Sequence, residues 1–378
     1  MRTRIVPFLF FYLFFLPLSF SQKTDKVLPE DINHAKKLKG IYPDDELACL
    51  SCELDFQFEY NASRDQIGVK EASHKSLISI AENTEFYAVH FYNEQSKISD
   101  VSVENKSGRT VDVEKKDEYY QSSDYFYSDA RILYFKLPFA IAGSVRKIDY
   151  EKEYFDVKYL TSVYFHELYP TEKKTLRFAV PDWLDLELRE MNFEGFEIEK
   201  SVQKDEKKGQ SIYTYTLKDL AAMDKEGNSP GPSYDYPHIM IQAKSFTMKG
   251  QKHTLFESVD DLYAWYHSLT NLLKDDPYTY QKLVQELTEG KSSDLEKAKA
   301  IYYWVQENIR YVAFEDGIAG FKPDESQNVF SKRFGDCKGM ANLTKRMLGL
   351  AGFDARLTWL GTRRIAYDYS FPSLAVDN

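Results

Sequence analysis

Two hydrophobic periods divide this chain. From about Glu53 to Ser245 apolar side chains recur at alternate positions, as in strands with one buried face. Leu184, Leu186 and Leu188 alternate with Asp185 and Glu187, and Ile148, Tyr150 and Tyr154 alternate with charged neighbours. The same reading predicts strands over Cys49–Tyr60, Phe86–Tyr92, Ile98–Val103, Ile132–Leu137, Leu176–Val180, Phe196–Val202, Ile212–Leu217 and His238–Ala243. Turn chemistry at Asn105–Gly108 and Asp205–Gly209 separates several of them. Many short antiparallel strands imply a sandwich or a partly closed barrel. No repeat-length period is visible, which argues against a solenoid or propeller.

After Ser245 the period becomes helical. Ser258 and Asp261 have capping-box spacing ahead of Leu262, Trp265, Tyr266 and Leu269. Pro277 suits the first position of a second helix bearing Tyr280, Leu283, Val284 and Leu287. Ser293 and Glu296 cap a third, whose stripe is Leu295, Ala298, Tyr302, Val305 and Ile309. Met340, Leu343, Met347 and Leu350 mark a fourth that Gly352 ends. A strand is expected over Ala355–Leu360, then a tail over Phe371–Val376.

At the N-terminus, Arg2 and Arg4 precede an almost wholly apolar run from Ile5 to Phe20, with small residues at Ser19 and Ser21. This is the pattern of a secretory signal peptide. The run of about sixteen residues is short of the roughly 20 needed to span a bilayer. The expected organisation is a signal peptide (1–21), a polar extension (22–48) with a short helix near Ile32–Leu38, an all-β domain (49–245) and a mainly helical domain (246–378). The expectation is an exported protein, periplasmic or extracellular, with no stable membrane insertion once the signal is removed. Losing Arg2 and Arg4 takes the formal net charge from −10 to −12. Such a balance argues against nucleic acid and strongly anionic membranes as partners. The 28 Tyr and 26 Phe suit half-buried pleated surfaces.

Cys49 and Cys52 form a lone C-x-x-C. They read as a disulfide favoured by export, as two free thiols, or as half of a zinc site. No second C-x-x-C supplies further ligands, and His34 and His74 are isolated. Within a regular strand the two side chains would face opposite ways and bridge poorly. A redox motif would call for a helix start, which this context lacks. No metal or cofactor is expected. His90, His166 and His238 lie in or beside strands and read as core or edge residues. An aromatic sheet face there is suited to carbohydrate or peptide, but aromatics in strands mostly form core.

The stretch Lys332–Met340 joins a turn to a helix. Gly335 permits backbone shapes that other residues resist, and Asp336 is a favoured N-cap type. Cys337 is therefore placed in the first helical turn, where free N–H groups and the helix dipole favour a thiolate. A single cysteine on an apolar helix otherwise serves as a small hydrophobe. Asp336 opposes the thiolate unless its carboxylate turns toward the helix N–H groups.

From Ile301 to Leu360 the chain resembles a transglutaminase-like core, the papain-related cysteine fold. The resemblance rests on an aromatic-rich helix ending in Asn308-Ile309-Arg310-Tyr311, then a loop with Gly320 and Pro323. Gly335-Asp336-Cys337-Lys338-Gly339 and the long helix follow. The preceding region is similar in order and length to the little-characterised all-β domain found ahead of such cores in secreted bacterial proteins. The fold class implied is α+β, an all-β sandwich-like domain followed by a partial transglutaminase-like domain.

The resemblance implies thiolate attack on a peptide or isopeptide amide of a protein or peptide substrate, by hydrolysis or transamidation, without a cofactor. Such attack needs a base, a group to orient it and donors for the oxyanion. Cys337 is the implied nucleophile, with Asp336 and Tyr311 as support or oxyanion-side residues. The family order is Cys, His, Asp, yet all seven histidines precede Cys337. The expectation is a catalytic domain cut short before its His, inactive over these 378 residues unless a His follows Asn378. The alternative is a non-catalytic envelope binding or scaffold protein.

Overall fold

The computed structural model describes residues 27–121, 125–223, 229, 231–315, 317–361, 365–368 and 370–375. The expected signal segment, 1–21, lies outside them. The first helix, α1 (Pro29–Ile41), precedes β1 (Leu47–Asn61), β2 (Gln66–Ser79), β3 (Thr84–Tyr92), β4 (Ser96–Asn105) and β5 (Lys116–Tyr119). Next come β6 (Phe126–Ser128), β7 (Arg131–Phe139), β8 (Val145–Tyr154), β9 (Ser162–Tyr164), β10 (Thr171–Pro181) and β11 (Leu184–Met191). The β-region closes with β12 (Glu199–Asp205), β13 (Gln210–Leu220), the short α2 (Pro232–Asp235), β14 (His238–Met248) and β15 (Gln251–Thr254).

Seven strands form the main sheet, in the order β12-β13-β10-β1-β2-β8-β4. One face of β1 explains the layering. Leu54, Phe56 and Phe58 recur at alternate positions and are buried. They pack with Leu176 and Phe178 beneath Ile239 and Ile241 of the four-stranded sheet of β11, β14, β15 and β9. Phe56 stacks on Phe178 with centroids 4.9 Å apart; fully burying such a ring contributes about 1.5–3 kcal/mol. Leu47, Cys49 and Cys52 continue the same face under Phe135, Leu137 and Phe139 of the β3-β7-β5 sheet. The result is a two-layer β structure in which two smaller sheets cover one large one.

The structure corrects several expectations. The large sheet is not wholly antiparallel, because β1 and β10 run parallel. In the segment expected as a polar extension, the short helix expected near Ile32–Leu38 forms as the longer α1 and is part of the core. Ala35 and Leu38 of α1 pack on Ala48, Ile78 and Val145, covering the other face of the sheet. The β-region passes the expected boundary at Ser245, since β14 runs to Met248 and β15 pairs with it. The strand expected over Phe196–Val202 is displaced to Glu199–Asp205, an exposed sheet-edge strand. The alternation predicted none of β2, whose inward positions include the buried polar residues Glu71 and Ser73.

The C-terminal half comprises α3 (Val259–Thr270), a 3-10 turn at Pro277–Tyr280, α4 (Gln281–Thr288) and α5 (Asp294–Asn308). Then follow β16 (Arg310–Tyr311), β17 (Ala313–Glu315), α6 (Ser326–Lys332), β18 (Phe334–Gly335) and α7 (Cys337–Leu350). Both capping boxes form as the spacing predicts, at Ser258–Asp261 and Ser293–Glu296. Ile301, Val305, Leu343 and Met347 meet Tyr280 and Val284 in one core. This half joins the β-region through β17, which pairs parallel with β6. Among the described residues no helix is long and apolar enough to cross a membrane.

Candidate active site

The turn into α7 is built by close packing rather than by an unusual glycine backbone. The left-handed residue is Arg333, with φ 61°, at the end of α6. Gly335 is needed for a different reason. A Cβ there would lie 2.9 Å from Cγ1 of Val329, which is buried on α6. The strand β18 then pairs parallel with β16, setting Tyr311 opposite Gly335. The Val312 N–H donates to the Gly335 carbonyl at 3.0 Å. The segment immediately before Cys337 is thus held from two sides.

Asp336 is the N-cap of α7, and its Oδ1 accepts from the Gly339 N–H at 2.7 Å. Its Oδ2 lies 2.7 Å from Lys338 Nζ, and both side chains are almost fully buried. The carboxylate is therefore engaged by a helix N–H and a cation, the arrangement in which it least opposes a neighbouring thiolate. Cys337 occupies the first position of α7 and is half-buried.

A second polar centre anchors the same helix from below. Asp275 accepts from the Ser326 N–H at 2.7 Å, from Asn342 Nδ2 at 3.0 Å and from Arg346 Nε at 2.9 Å. Burial raises its pKa, but the Ser326 hydrogen bonds and Arg346 outweigh that and hold the carboxyl below its usual value. Asn342 also donates to the Asp324 carbonyl, tying the loop before α6 to α7. Sequence reasoning missed Asp275 and Asn342. An acid at a helix boundary and an Asn in a helical stripe give no sign that they meet.

Cys337 lines a cavity of about 330 Å³ together with Tyr266, Ala341, Leu357 and Trp359. Tyr266 stacks on Trp359 at 4.9 Å. Trp265 meets Phe321 edge-on at 5.3 Å and Trp359 at 6.2 Å. Burial first, then negative charge on Cys337 and Asp336, pushes the Tyr266 hydroxyl above its ordinary pKa, so it stays protonated beside the thiol. The sequence assigned Trp265 and Tyr266 to a core stripe, and only the packing of α3 against residues 357–359 brings Tyr266 to the thiol.

The expected strand over Ala355–Leu360 is not formed. Residues 353–361 carry no strand, although their burial alternates. Alternation fixes which side faces the core, whereas a strand also needs a hydrogen-bonding neighbour. The expected tail is described only to Ala375, and Val376 lies outside the described residues.

The histidines have partners in other interactions. His34 lies 2.7 Å from Glu172 and His74 2.6 Å from Asp149. His90 packs on Tyr150, His166 on Tyr236 and His253 on Phe246. His238 bonds the Tyr367 hydroxyl at 2.8 Å, and His267 contacts Asn271. No group of three or more His, Cys, Asp or Glu that could hold a metal occurs among the described residues.

With this geometry in view, comparisons with known proteins place both halves. Residues 281–364 match the family model of the transglutaminase-like superfamily. Residues 87–224 match DUF3857, a domain of unknown function known from solved structures. The chain therefore carries a transglutaminase-like domain behind an N-terminal β-rich DUF3857 region, in an α+β architecture. Among curated proteins it is similar to the human Kyphoscoliosis peptidase, 28% identical over 170 residues. That match takes in 43% of this chain and spans only 24% of the relative's length. The fold is similar to a crystal structure of a candidate protease from Parabacteroides distasonis, with a TM-score of 0.61 and 15% identity. That likeness covers 88% of this chain and 63% of the other.

Proposed function

We propose that this transglutaminase-like protein is an exported cysteine acyl-transfer protein, with Cys337 as the nucleophile and a peptide or isopeptide amide as the substrate class. The observation that carries the reading is the environment of one thiol. Cys337 opens α7 and lines a cavity with Tyr266 and Trp359, and the adjacent carboxylate is already engaged by Gly339 and Lys338. A helix N-terminus stabilises an anion there, and a thiolate attacks a carbonyl carbon directly. Tyr311, set opposite Gly335 in the short ladder, is the candidate on the oxyanion side. The description of the human relative as a peptidase supports the same reaction class.

Attack would form a tetrahedral oxyanion whose collapse expels an amine, and that amine must be protonated as it leaves. A p-nitrophenyl ester isolates the thiolate step, because its phenolate departs without a proton. The folded protein incubated with such an ester is expected to carry the acyl group on Cys337, in the tryptic peptide Phe334–Lys338, and to release it to hydroxylamine. Cys337→Ala should not acylate at that peptide. Acylation of Cys337 no faster in the folded chain than after denaturation would reject the proposal and favour the scaffold reading.

A further inference from the structure

A second sulfur chemistry lies in the β-region, far from anything the transglutaminase-like reading uses. The alternation of β1 sets the two cysteines of the C-x-x-C on opposite faces, but the strand does not keep its register. Cys49 pairs with Leu77 and Ser51 with Ser76, so one extra residue bulges at Leu50. Such a bulge turns the residues after it by one position. Cys49 and Cys52 therefore share the inner face, both with no exposure; the Cys49 Sγ donates to the Ser51 carbonyl at 3.1 Å and the Cys52 Sγ to Glu167 Oε1 at 3.5 Å.

The charges around this pair are unusual for a core. The Lys174 Nζ donates to the Cys52 Sγ at 3.1 Å and is paired with Glu167. Lys75 donates to the other Glu167 oxygen at 3.0 Å and to the Tyr169 hydroxyl at 3.4 Å. Two ammonium groups thus face one carboxylate. His90, beside them, adds no charge at neutral pH, because burial above all brings its pKa to about 4. A buried excess cation is costly unless a counter-charge meets it. A Cys52 thiolate completes the balance, with Cys49 next to it as a second sulfur.

We infer that Cys49 and Cys52 form a redox-active dithiol, activated by Lys174, which hydrogen peroxide converts to a disulfide within β1. The Cys52 thiolate attacks one peroxide oxygen, and the O–O bond breaks. This leaves Cys52 as a sulfenic acid, while the departing hydroxide takes a proton from Lys174 and becomes water. The Cys49 thiol then displaces the sulfenic hydroxyl, forming the S–S bond and a second water. Two thiol sulfurs lose two electrons, and the peroxide gains them.

Several features support this sequence. The neighbouring Cys49 sulfur, with Lys174 and Lys75, holds the Cys52 thiol below its ordinary value despite its burial. The cluster opens to solvent at Lys75 and Glu167, whose side chains keep 15% and 18% exposure. Both sulfurs are themselves without exposure, which favours a reagent as small as hydrogen peroxide over a protein thiol.

Peptide mapping of the full chain tests the inference, because both cysteines fall in one tryptic peptide, Gly40–Arg64, and Cys337 in another. After hydrogen peroxide, Gly40–Arg64 is expected to lose the mass of two hydrogens and resist alkylation, with both effects reversed by reductant. Lys174→Gln should slow this by about tenfold or more. Cys49→Ser should stop at a sulfenic acid on Cys52 that dimedone traps. The inference is overturned if Gly40–Arg64 stays fully alkylatable at a peroxide dose that oxidises Cys337. It is equally overturned if Lys174→Gln reacts at the parent rate, if Cys49→Ser gives no dimedone adduct on Cys52, or if Cys52 becomes bridged to Lys174 instead of Cys49.

Discussion

At the scale of single residues, the thiol of Cys337 and the carboxylate beside it set the chemistry of the C-terminal half. Iodoacetamide is expected to label Cys337 in the folded chain faster than a model thiol at neutral pH, as quantified on the Phe334–Lys338 peptide. Labelling at the model rate would mean that the helix terminus does not activate it. Asp336→Ala removes the cap to Gly339 and the counter-charge of Lys338 together. Losing an N-cap costs about 1 kcal/mol, and the loss of the ion pair with a buried ammonium adds to that. The C-terminal half should therefore unfold at a lower temperature in calorimetry, and an unchanged transition would deny the carboxylate a structural role. Asp336 stands next to the cysteine as a negative charge, yet in the fold that charge belongs to the cap. The helix signals before Cys337 allowed for such a cap, but the ion pair with Lys338 depends on side-chain packing.

At the scale of elements, α7 is held by what it buries. Gly335→Ala places a Cβ 2.9 Å from Val329 on α6. Overpacking of this kind typically costs about 1–3 kcal/mol, and urea unfolding followed by tryptophan fluorescence should show the loss. Parent-like stability would mean that α6 yields without cost. Asp275 joins the start of α6 to the middle of α7, and its carboxyl titrates below the ordinary value. The sign follows from that depression. Its stabilising contribution is complete above the unfolded carboxyl pKa of about 3.9 and is lost as pH falls through the lower folded value. Asp275→Asn should destabilise the C-terminal half at neutral pH and flatten its acid limb below about pH 4. An acid limb as steep as the parent's would assign the loss to other carboxylates. The capping boxes of α3 and α5 were legible because they are local. Asp275, about fifty residues from its partner Ser326, was not.

At the scale of the whole molecule, the order of parts and the division of labour matter most. β14, along whose end the exposed β15 pairs, belongs to the core of the β-region, its Ile239 and Ile241 buried against the large sheet. Cutting it would require opening that core. Limited trypsin digestion should leave an N-terminal fragment that extends at least through β15, as its intact mass would show. A stable fragment ending inside His238–Thr254 would place the boundary earlier. The apolar N-terminal run, with Arg2 and Arg4 before it and Ser19 and Ser21 at its end, is expected to be removed on export. Sequencing the mature N-terminus should then begin near Gln22, and a retained Met1 would oppose export.

What the sequence by itself determined follows from interactions between near neighbours. Period-two alternation placed β1, β3, β4, β7, β8, β10, β11, β13 and β14, and period 3.6 with local helix-start signals placed α3, α4, α5 and α7. The Gly-Asp-Cys-Lys run marked the start of α7 because capping is settled within a single turn. Tertiary structure alone decided the rest. It set β1 parallel to β10 and buried Glu71 in β2 through partners on other strands. It brought Tyr266 and Trp359 to the thiol, and it left residues 355–360 without a strand neighbour. It also inserted the bulge that turns Cys49 and Cys52 to one face beneath Lys174. These outcomes depend on which distant backbone or side chain completes a hydrogen bond or balances a charge, and spacing along one segment carries no record of that.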